Sequence, residues 1–203
     1  MVPTKHVRSP VWWLGVLGCL VAGPVLADRA ENAKSIVTSV CAACHGIDGN
    51  STVPTIPKLA GRDPEYIVRE LKDFILGRRK SDIMAPIAAT LDADDFKAFG
   101  SYFGSQKPSS GTVLDPRLAE EGKKLYVDGN EQTGVPSCDG CHGADAQGGS
   151  RFPRLAGQHR EYLIEQLYNF RTNVRKTTRV MKEVSTRMTD AEIKAVAEFL
   201  TGL

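Results

Sequence analysis

Strand signals and a membrane-length apolar run are missing from these 203 residues, and positive charge exceeds negative by only two. No stretch alternates apolar and polar residues as a half-buried strand does, and no β-α-β pattern appears, which excludes sheet-based folds. The longest apolar stretch, 11–26, falls short of the roughly 20 residues that a bilayer-crossing helix needs. It is also broken by Gly23-Pro24. With Lys5 and Arg8 ahead of it and Val25-Leu26-Ala27 behind, it reads as an export leader (1–27) cleaved before Asp28. Val16-Leu17-Gly18-Cys19 faintly resembles a lipoprotein cleavage box, but the chain stays apolar beyond it to Leu26, so lipidation of Cys19 is the minor alternative. Lys and Arg number 26 against 24 Asp and Glu; the leader removes two cations and no acid, leaving the mature chain formally neutral. Nucleic-acid binding needs a basic stripe, and that balance gives it no support.

Cysteine is scarce too, with five residues, and four of them fall in two copies of one run: Cys41-Ala42-Ala43-Cys44-His45 and Cys138-Asp139-Gly140-Cys141-His142. Each copy reads as a c-type haem attachment site. Two thiols three positions apart each form a thioether to one porphyrin vinyl, and the histidine that follows lies under the iron. Disulfides, redox dithiols and zinc half-sites are the competing readings. A redox pair of the thioredoxin kind sits near a β-α-β pattern, and a four-cysteine zinc site does not call for a histidine after each pair.

The runs belong to a longer repeat. An offset of 97 carries Cys41 onto Cys138, His45 onto His142 and Met84 onto Met181. An offset of 96 carries Pro57-Lys58-Leu59-Ala60-Gly61 onto Pro153-Arg154-Leu155-Ala156-Gly157, and Tyr66, Leu71 and Phe74 onto Tyr162, Leu167 and Phe170. Two units follow, 28–107 and 116–203, joined by a linker at 108–115 within a turn-rich stretch that starts at Lys107. Each unit is small enough for a protein core alone to be marginal, so a buried porphyrin supplies the missing apolar surface.

Both units read as helical. Ala33, Ile36, Val37 and Val40 form a stripe ahead of the first haem run, and Asp63-Pro64 starts a helix with Ile67, Leu71, Phe74 and Ile75 inward. Asp92 caps a helix that buries Phe96, Phe99 and Phe103. In the second unit the equivalents are Leu118, Gly122, Leu125 and Tyr126, then Leu163, Gln166, Leu167 and Phe170. Thr189 and Glu192 form a capping box ahead of Ile193, Val196, Ala197 and Leu200. The second unit has an extra polar loop, Asp128 to Ser137, which reads as a tolerated surface insertion.

Methionine is rare, and that makes the sixth iron ligand readable. Met84 is the one methionine of the first unit, and the second has Met181 and Met188. Cys41 to Met84 and Cys138 to Met181 both span 43 positions. Met188 falls instead on Leu91 at the offset of 97 and reads as core filler. His/Met ligation is the pattern of electron-carrying c-type haems. His159 has no histidine counterpart, its equivalent being Asp63, and reads as a polar residue at a helix start.

The order of haem run, Pro-x-Leu-x-Gly and lone methionine before a C-terminal helix resembles class I cytochrome c. The duplication, leader and length resemble the dihaem cytochrome c4 family. That resemblance implies an all-α fold of two tandem class I cytochrome c domains, two covalent haem c groups, and a pseudo-twofold axis with propionates near the domain interface. It also implies that the carbonyls of Pro57 and Pro153 accept the Nδ1–H of His45 and His142.

Cations gather before each methionine: Arg78, Arg79 and Lys80, then Arg171, Arg175, Lys176, Arg179 and Lys182. A solvated face is the plain reading. Arg79 and Arg175, equivalent at the offset of 96, are candidates for bidentate propionate contacts, and the others for steering an acidic docking surface. The expected function is a periplasmic one-electron carrier, not an enzyme. By resemblance its donor is a quinol–cytochrome c oxidoreductase and its acceptor a haem–copper terminal oxidase. The rivals are an electron-acceptor subunit of a dehydrogenase, such as a sulfide-oxidising flavocytochrome, and a dihaem peroxidase, which needs an iron with an open site.

Overall fold

The computed structural model describes residues 24–149 and 151–203. The leader up to residue 23, with Cys19, lies outside the described residues. Among them the chain is helical, and its β-pairing is confined to isolated bridges.

The first domain runs α1 (Pro24–Ile36), a π-helical turn (Val37–Cys41), α2 (Ala42–His45), α3 (Pro64–Ile75), α4 (Met84–Thr90) and α5 (Phe96–Gly104). The second runs α6 (Pro116–Asp128), α7 (Asp139–His142), α8 (Arg160–Arg171), α9 (Arg179–Arg187) and α10 (Asp190–Thr201). Helix starts follow from capping chemistry. Asp63 accepts from the Tyr66 amide at 3.0 Å with Pro64 in the first turn, and Asp115 does the same for α6 through the amides of Arg117 and Leu118. At α10 the Thr189 hydroxyl accepts from the Glu192 amide while the Glu192 carboxylate accepts from the Thr189 amide, closing the capping box.

Two hydrophobic clusters form the core, one per domain. The first joins Ala33, Val37, Ile67, Val68, Leu71, Phe74 and the three phenylalanines Phe96, Phe99 and Phe103. The second joins Leu125, Tyr126, Leu163, Met188, Ile193, Val196 and Leu200 around the α6–α10 crossing. That crossing is close because residue 122 is glycine: a Cβ there would stand 1.9 Å from the Ala195 carbonyl oxygen. Met188, 6% exposed, is core filler in this cluster.

Two stripe residues leave the core. Val40 is 42% exposed, because the π turn carries more residues per turn and brings Cys41, not Val40, back to the face of Val37. Ile75 is 46% exposed at the last residue of α3, and Val68 takes its inward place.

The loop at 128–137 is tied down more firmly than a surface insertion. Asn130 and Val135 exchange backbone hydrogen bonds, Val135 is buried in the second core, and Asn130 and Thr133 both donate to Glu192 Oε1. The residues joining the domains are also held from both sides. Lys58 Nζ donates to the carbonyls of Ser109 and Ser110, the Ser109 amide donates to Asn50 Oδ1, and the Gly111 amide donates to the Thr201 carbonyl. Glu198, 1% exposed on α10, accepts from the amides of Leu114 and Asp115 and pairs with Arg160.

Candidate haem centres

The two attachment runs adopt the same local structure although different elements deliver them. In the first domain the run continues out of α1 through the π turn into α2; in the second it starts afresh as α7 after the inserted loop. Each ends at its histidine, and the next residue is a glycine with positive φ, Gly46 at 76° and Gly143 at 82°, with ψ near 150° in both. An L side chain is disfavoured in that region, so glycine lets the chain leave sharply after the histidine.

Both histidines are 7% exposed. His45 Nδ1 lies 2.8 Å from the Pro57 carbonyl oxygen, and His142 Nδ1 lies 3.0 Å from that of Pro153. A carbonyl only accepts, so Nδ1 carries the proton and Nε2 keeps its lone pair. Burial lowers both imidazole pKa values, the carbonyls offset part of that, and the nearby guanidinium groups of Arg79 (for His45) and Arg62 (for His142) lower them further. Each ring is thus a neutral base with one fixed donor bond, which is how a metal-bound histidine is oriented.

None of the four cysteines of the two runs is joined in a disulfide. Cys41 and Cys138 are half-buried against their domain cores, while Cys44 and Cys141 are exposed. Burial, with help from Asp139 and Cys141, pushes the Cys138 thiol up to about 11, and burial raises Cys41 as well. A redox dithiol has the opposite property, a lowered pKa. Met84 opens α4 and packs against the first core, and Met181 is the third residue of α9. Both are half-buried. Among the described residues no cluster of His, Cys, Asp and Glu is arranged to hold a metal ion by itself, so the zinc reading has no site.

Between the domains lies a seam of buried polar residues related by the 96-residue offset. Arg79 donates to Glu70 Oε2 at 2.7 Å in its own domain, and across the seam to Tyr162 Oη at 2.6 Å and Gln166 Oε1 at 3.2 Å. Arg175 mirrors it, donating to Gln166 Oε1 at 3.1 Å in its own domain, and across to Tyr66 Oη at 2.9 Å and Glu70 Oε1 at 2.6 Å. Each guanidinium also lies 4.6 Å from the ring centroid of a phenylalanine of its own domain, Phe74 or Phe170. Arg79 and Arg175 form an isolated antiparallel bridge, and the Lys176 amide donates to the Arg78 carbonyl beside it. Protein groups thus accept from both terminal nitrogens of each guanidinium, where a bidentate propionate contact is expected of Arg79 and Arg175. Among the described residues, Arg175 Nε and Arg154 Nε are buried donors without a protein partner.

Charge at the seam does not balance within the protein. Burial by itself would raise the Glu70 carboxyl, but the guanidinium groups of Arg175 and Arg79 outweigh it and hold Glu70 below the ordinary glutamate range. Among the described residues the side chain of Arg62, 7% exposed, reaches only the carbonyl of Lys58, and the buried Lys58 ammonium finds only carbonyls. Burial lowers the pKa of both. Buried cations without counter-ions are costly. Haem brings two carboxylates per porphyrin, so the cationic excess and the two unpartnered guanidinium nitrogens fit its propionates, as the thiols and neutral imidazoles fit its vinyls and iron.

Sequence reasoning passed over Gln158 and took His159 only as a polar residue at a helix start. The Gln158 amide pairs with both the N–H and the C=O of Lys58 in the other domain, at 2.9 and 3.1 Å, and His159 Nε2 donates to the Ser51 carbonyl at 2.8 Å. His159 does stand at the start of α8, but without capping it. The mismatch of both residues with their repeat equivalents, Arg62 and Asp63, was the available signal.

Two helical domains, each presenting paired thiols and a carbonyl-locked histidine, define the class: a protein built to carry two covalent haems. A family model described as "Cytochrome c" matches residues 30–102 and again 119–203. The chain is 42% identical over 192 residues to "Cytochrome c4" of Thiocapsa roseopersicina, covering 92% of this chain and 98% of that one. Reduced recombinant cytochrome c4 from Pseudomonas stutzeri superposes with a TM-score of 0.81 at 36% identity, over 86% of this chain and 98% of that one. "Thiosulfate dehydrogenase electron acceptor" of Thiomonas intermedia (strain K12) is 35% identical over 168 residues, 80% of this chain and 77% of that one. The chain belongs to the cytochrome c4 family of dihaem cytochromes c. It carries two covalent haem c groups and transfers electrons; it is not an enzyme.

Proposed function

We propose that this cytochrome is an exported, periplasmic shuttle that passes electrons singly from a quinol–cytochrome c oxidoreductase to a haem–copper terminal oxidase. Cys41 and Cys44, and Cys138 and Cys141, hold the two porphyrins, and His45 with Met84 and His142 with Met181 are the axial ligands of the irons. The carbonyls of Pro57 and Pro153 keep each Nδ1 protonated, so Nε2 is the ligating atom. Arg175 Nε and Arg154 Nε are propionate donors. The haem supplies the one-electron chemistry; the chain positions it, keeps water from its buried face and sets its charge surroundings.

The observation that carries this reading is the exact recurrence of the site: a locked histidine in each domain and a methionine 43 positions after the first cysteine of each run. The test is a spectroscopic redox titration of the purified holoprotein that follows the methionine-to-iron charge-transfer band. Two one-electron steps, each with that band, support closed electron-transfer irons. Rapid binding of carbon monoxide by either reduced haem would refute it.

The likeness to a thiosulfate dehydrogenase electron acceptor favours a second reading, an acceptor that serves a dehydrogenase. A dehydrogenase co-purifying in stoichiometric amount with the native protein would select that reading over the free shuttle.

A further inference from the structure

We infer that Gln158, although it belongs to the second domain, is a positioning residue for the haem of the first: through the peptide group that joins Pro57 to Lys58, it strengthens the hydrogen bond that orients His45 and so lowers that iron's potential. The inference rests on the proposed ligation of the first iron by His45.

The Pro57 carbonyl and the Lys58 N–H are the two ends of one peptide group. At one end the Pro57 oxygen accepts from His45 Nδ1 at 2.8 Å; at the other the Lys58 N–H donates to Gln158 Oε1 at 2.9 Å. Gln158 Nε2 donates to the Lys58 carbonyl at 3.1 Å, so the side-chain amide grips this backbone at two points. Gln158 is 1% exposed and is fixed by its own domain. Its N–H donates to the Leu155 carbonyl, its carbonyl accepts from the Thr201 hydroxyl, and Oε1 accepts from the His159 N–H as well. Turning the side chain away would leave buried polar groups unpaired on both sides of the seam.

Hydrogen bonds linked in a chain polarise one another. An acceptor on the Lys58 N–H shifts electron density within the peptide toward the Pro57 oxygen, which then holds the Nδ1 proton of His45 more strongly. The imidazole becomes the more basic ligand, and a more basic ligand favours ferric over ferrous iron. The His45 contact is the shorter of the two, 2.8 Å against 3.0 Å at His142. The repeat does not reciprocate. The position equivalent to 158 is Arg62, whose Nε turns back to the Lys58 carbonyl of its own domain. Among the described residues the Arg154 N–H, the far end of the Pro153 peptide group, makes no hydrogen bond.

The test compares Gln158→Met, which keeps the length of the side chain and loses both amide contacts, with unaltered holoprotein. Redox titration follows each couple, assigned to its domain through the haem-methyl NMR resonances, and the Nδ1 protons of both histidines are followed in the ferrous state. We expect the reduced-to-oxidised ratio of the first-domain couple to rise about threefold, a shift of about 28 mV at about 59 mV per tenfold. The His45 Nδ1 proton should move upfield while that of His142 stays put. A merely structural role has another signature: a loosened seam admits water to both haems and lowers both couples. That result, equal movement of the two Nδ1 protons, or an unmoved His45 proton would overturn the inference. Should Gln158→Met fail to retain haem, the unaltered ferrous protein decides. Its His45 Nδ1 proton should resonate downfield of that of His142; equal shifts or the reverse order would overturn the inference. A His45 ring without the haem-shifted resonances of an iron ligand would instead fault the proposed ligation, so the two failures are distinguishable.

Discussion

The two domains share a haem site and differ in what surrounds it. Around the histidines the match extends to the carbonyl partner, the positive-φ glycine and the short helix that starts near the methionine. At the seam, the first domain contributes Arg62 and Glu70 where the second has Gln158 and Gln166. Duplication preserved the chemistry within each domain, while the surfaces that came to face each other diverged. A site that must bind the same cofactor tolerates little change; an interface between unlike halves has only to be satisfied once. One carboxylate shared by two arginines is such a one-sided solution.

That contrast can be tested, starting with what both domains need. A chain with all four cysteines replaced by alanine, and so without covalent haem, should lose its cooperative thermal melt, because each domain alone is too small to bury enough apolar surface. A native-like melt by circular dichroism would show that the two cores are self-sufficient.

Next is the asymmetric seam. Glu70→Gln makes the halves alike at that position and removes the protein carboxylate that Arg79 and Arg175 share, a loss on the order of 3–5 kcal/mol for breaking a buried pair. Denaturant titration of the holoprotein should register it, and Gln166→Glu in the same chain should recover part. The pH dependence has a definite sign. The Glu70 pKa is lowered in the folded state, so its contribution is complete above the ordinary glutamate range and is lost as pH falls through the lower, folded-state value. The melting temperature of the unaltered protein should therefore drop more steeply on acidification than that of Glu70→Gln; parallel curves would remove Glu70 from this role.

The methionines of the second domain separate ligand from packing. Met188→Ala should cost about 2–5 kcal/mol as a core truncation and leave both charge-transfer bands in place. Met181→Ala should abolish one band at a smaller stability cost. The reverse pattern would exchange their roles. Smallest of all, Thr189→Ala removes half of the capping box and should cost about 1 kcal/mol. Because Glu192 also holds the inserted loop through Asn130 and Thr133, faster amide exchange at Asn130 and Val135 should accompany it, a coupling for which the first domain has no counterpart.

The helix starts at Asp63 and Thr189, the inward phenylalanines and the buried Met188 were legible because capping and periodicity act over a few residues. Val40 and Ile75 were misplaced because a π turn and a helix end break the regular period on which the stripe depends. Arg79 sits in a run with Arg78 and Lys80 that looks solvated, and nothing local marks it as buried. Only docking of the second domain supplies Tyr162 and Gln166 to cover it.

From sequence alone came the covalent chemistry, the duplication and the equal spacing to a methionine, since thioether attachment and helix capping are decided among neighbours along the chain. Tertiary structure alone decided which cations are buried and that one carboxylate serves two of them. Desolvation depends on what covers a charge, and here the cover comes from residues roughly a hundred positions away.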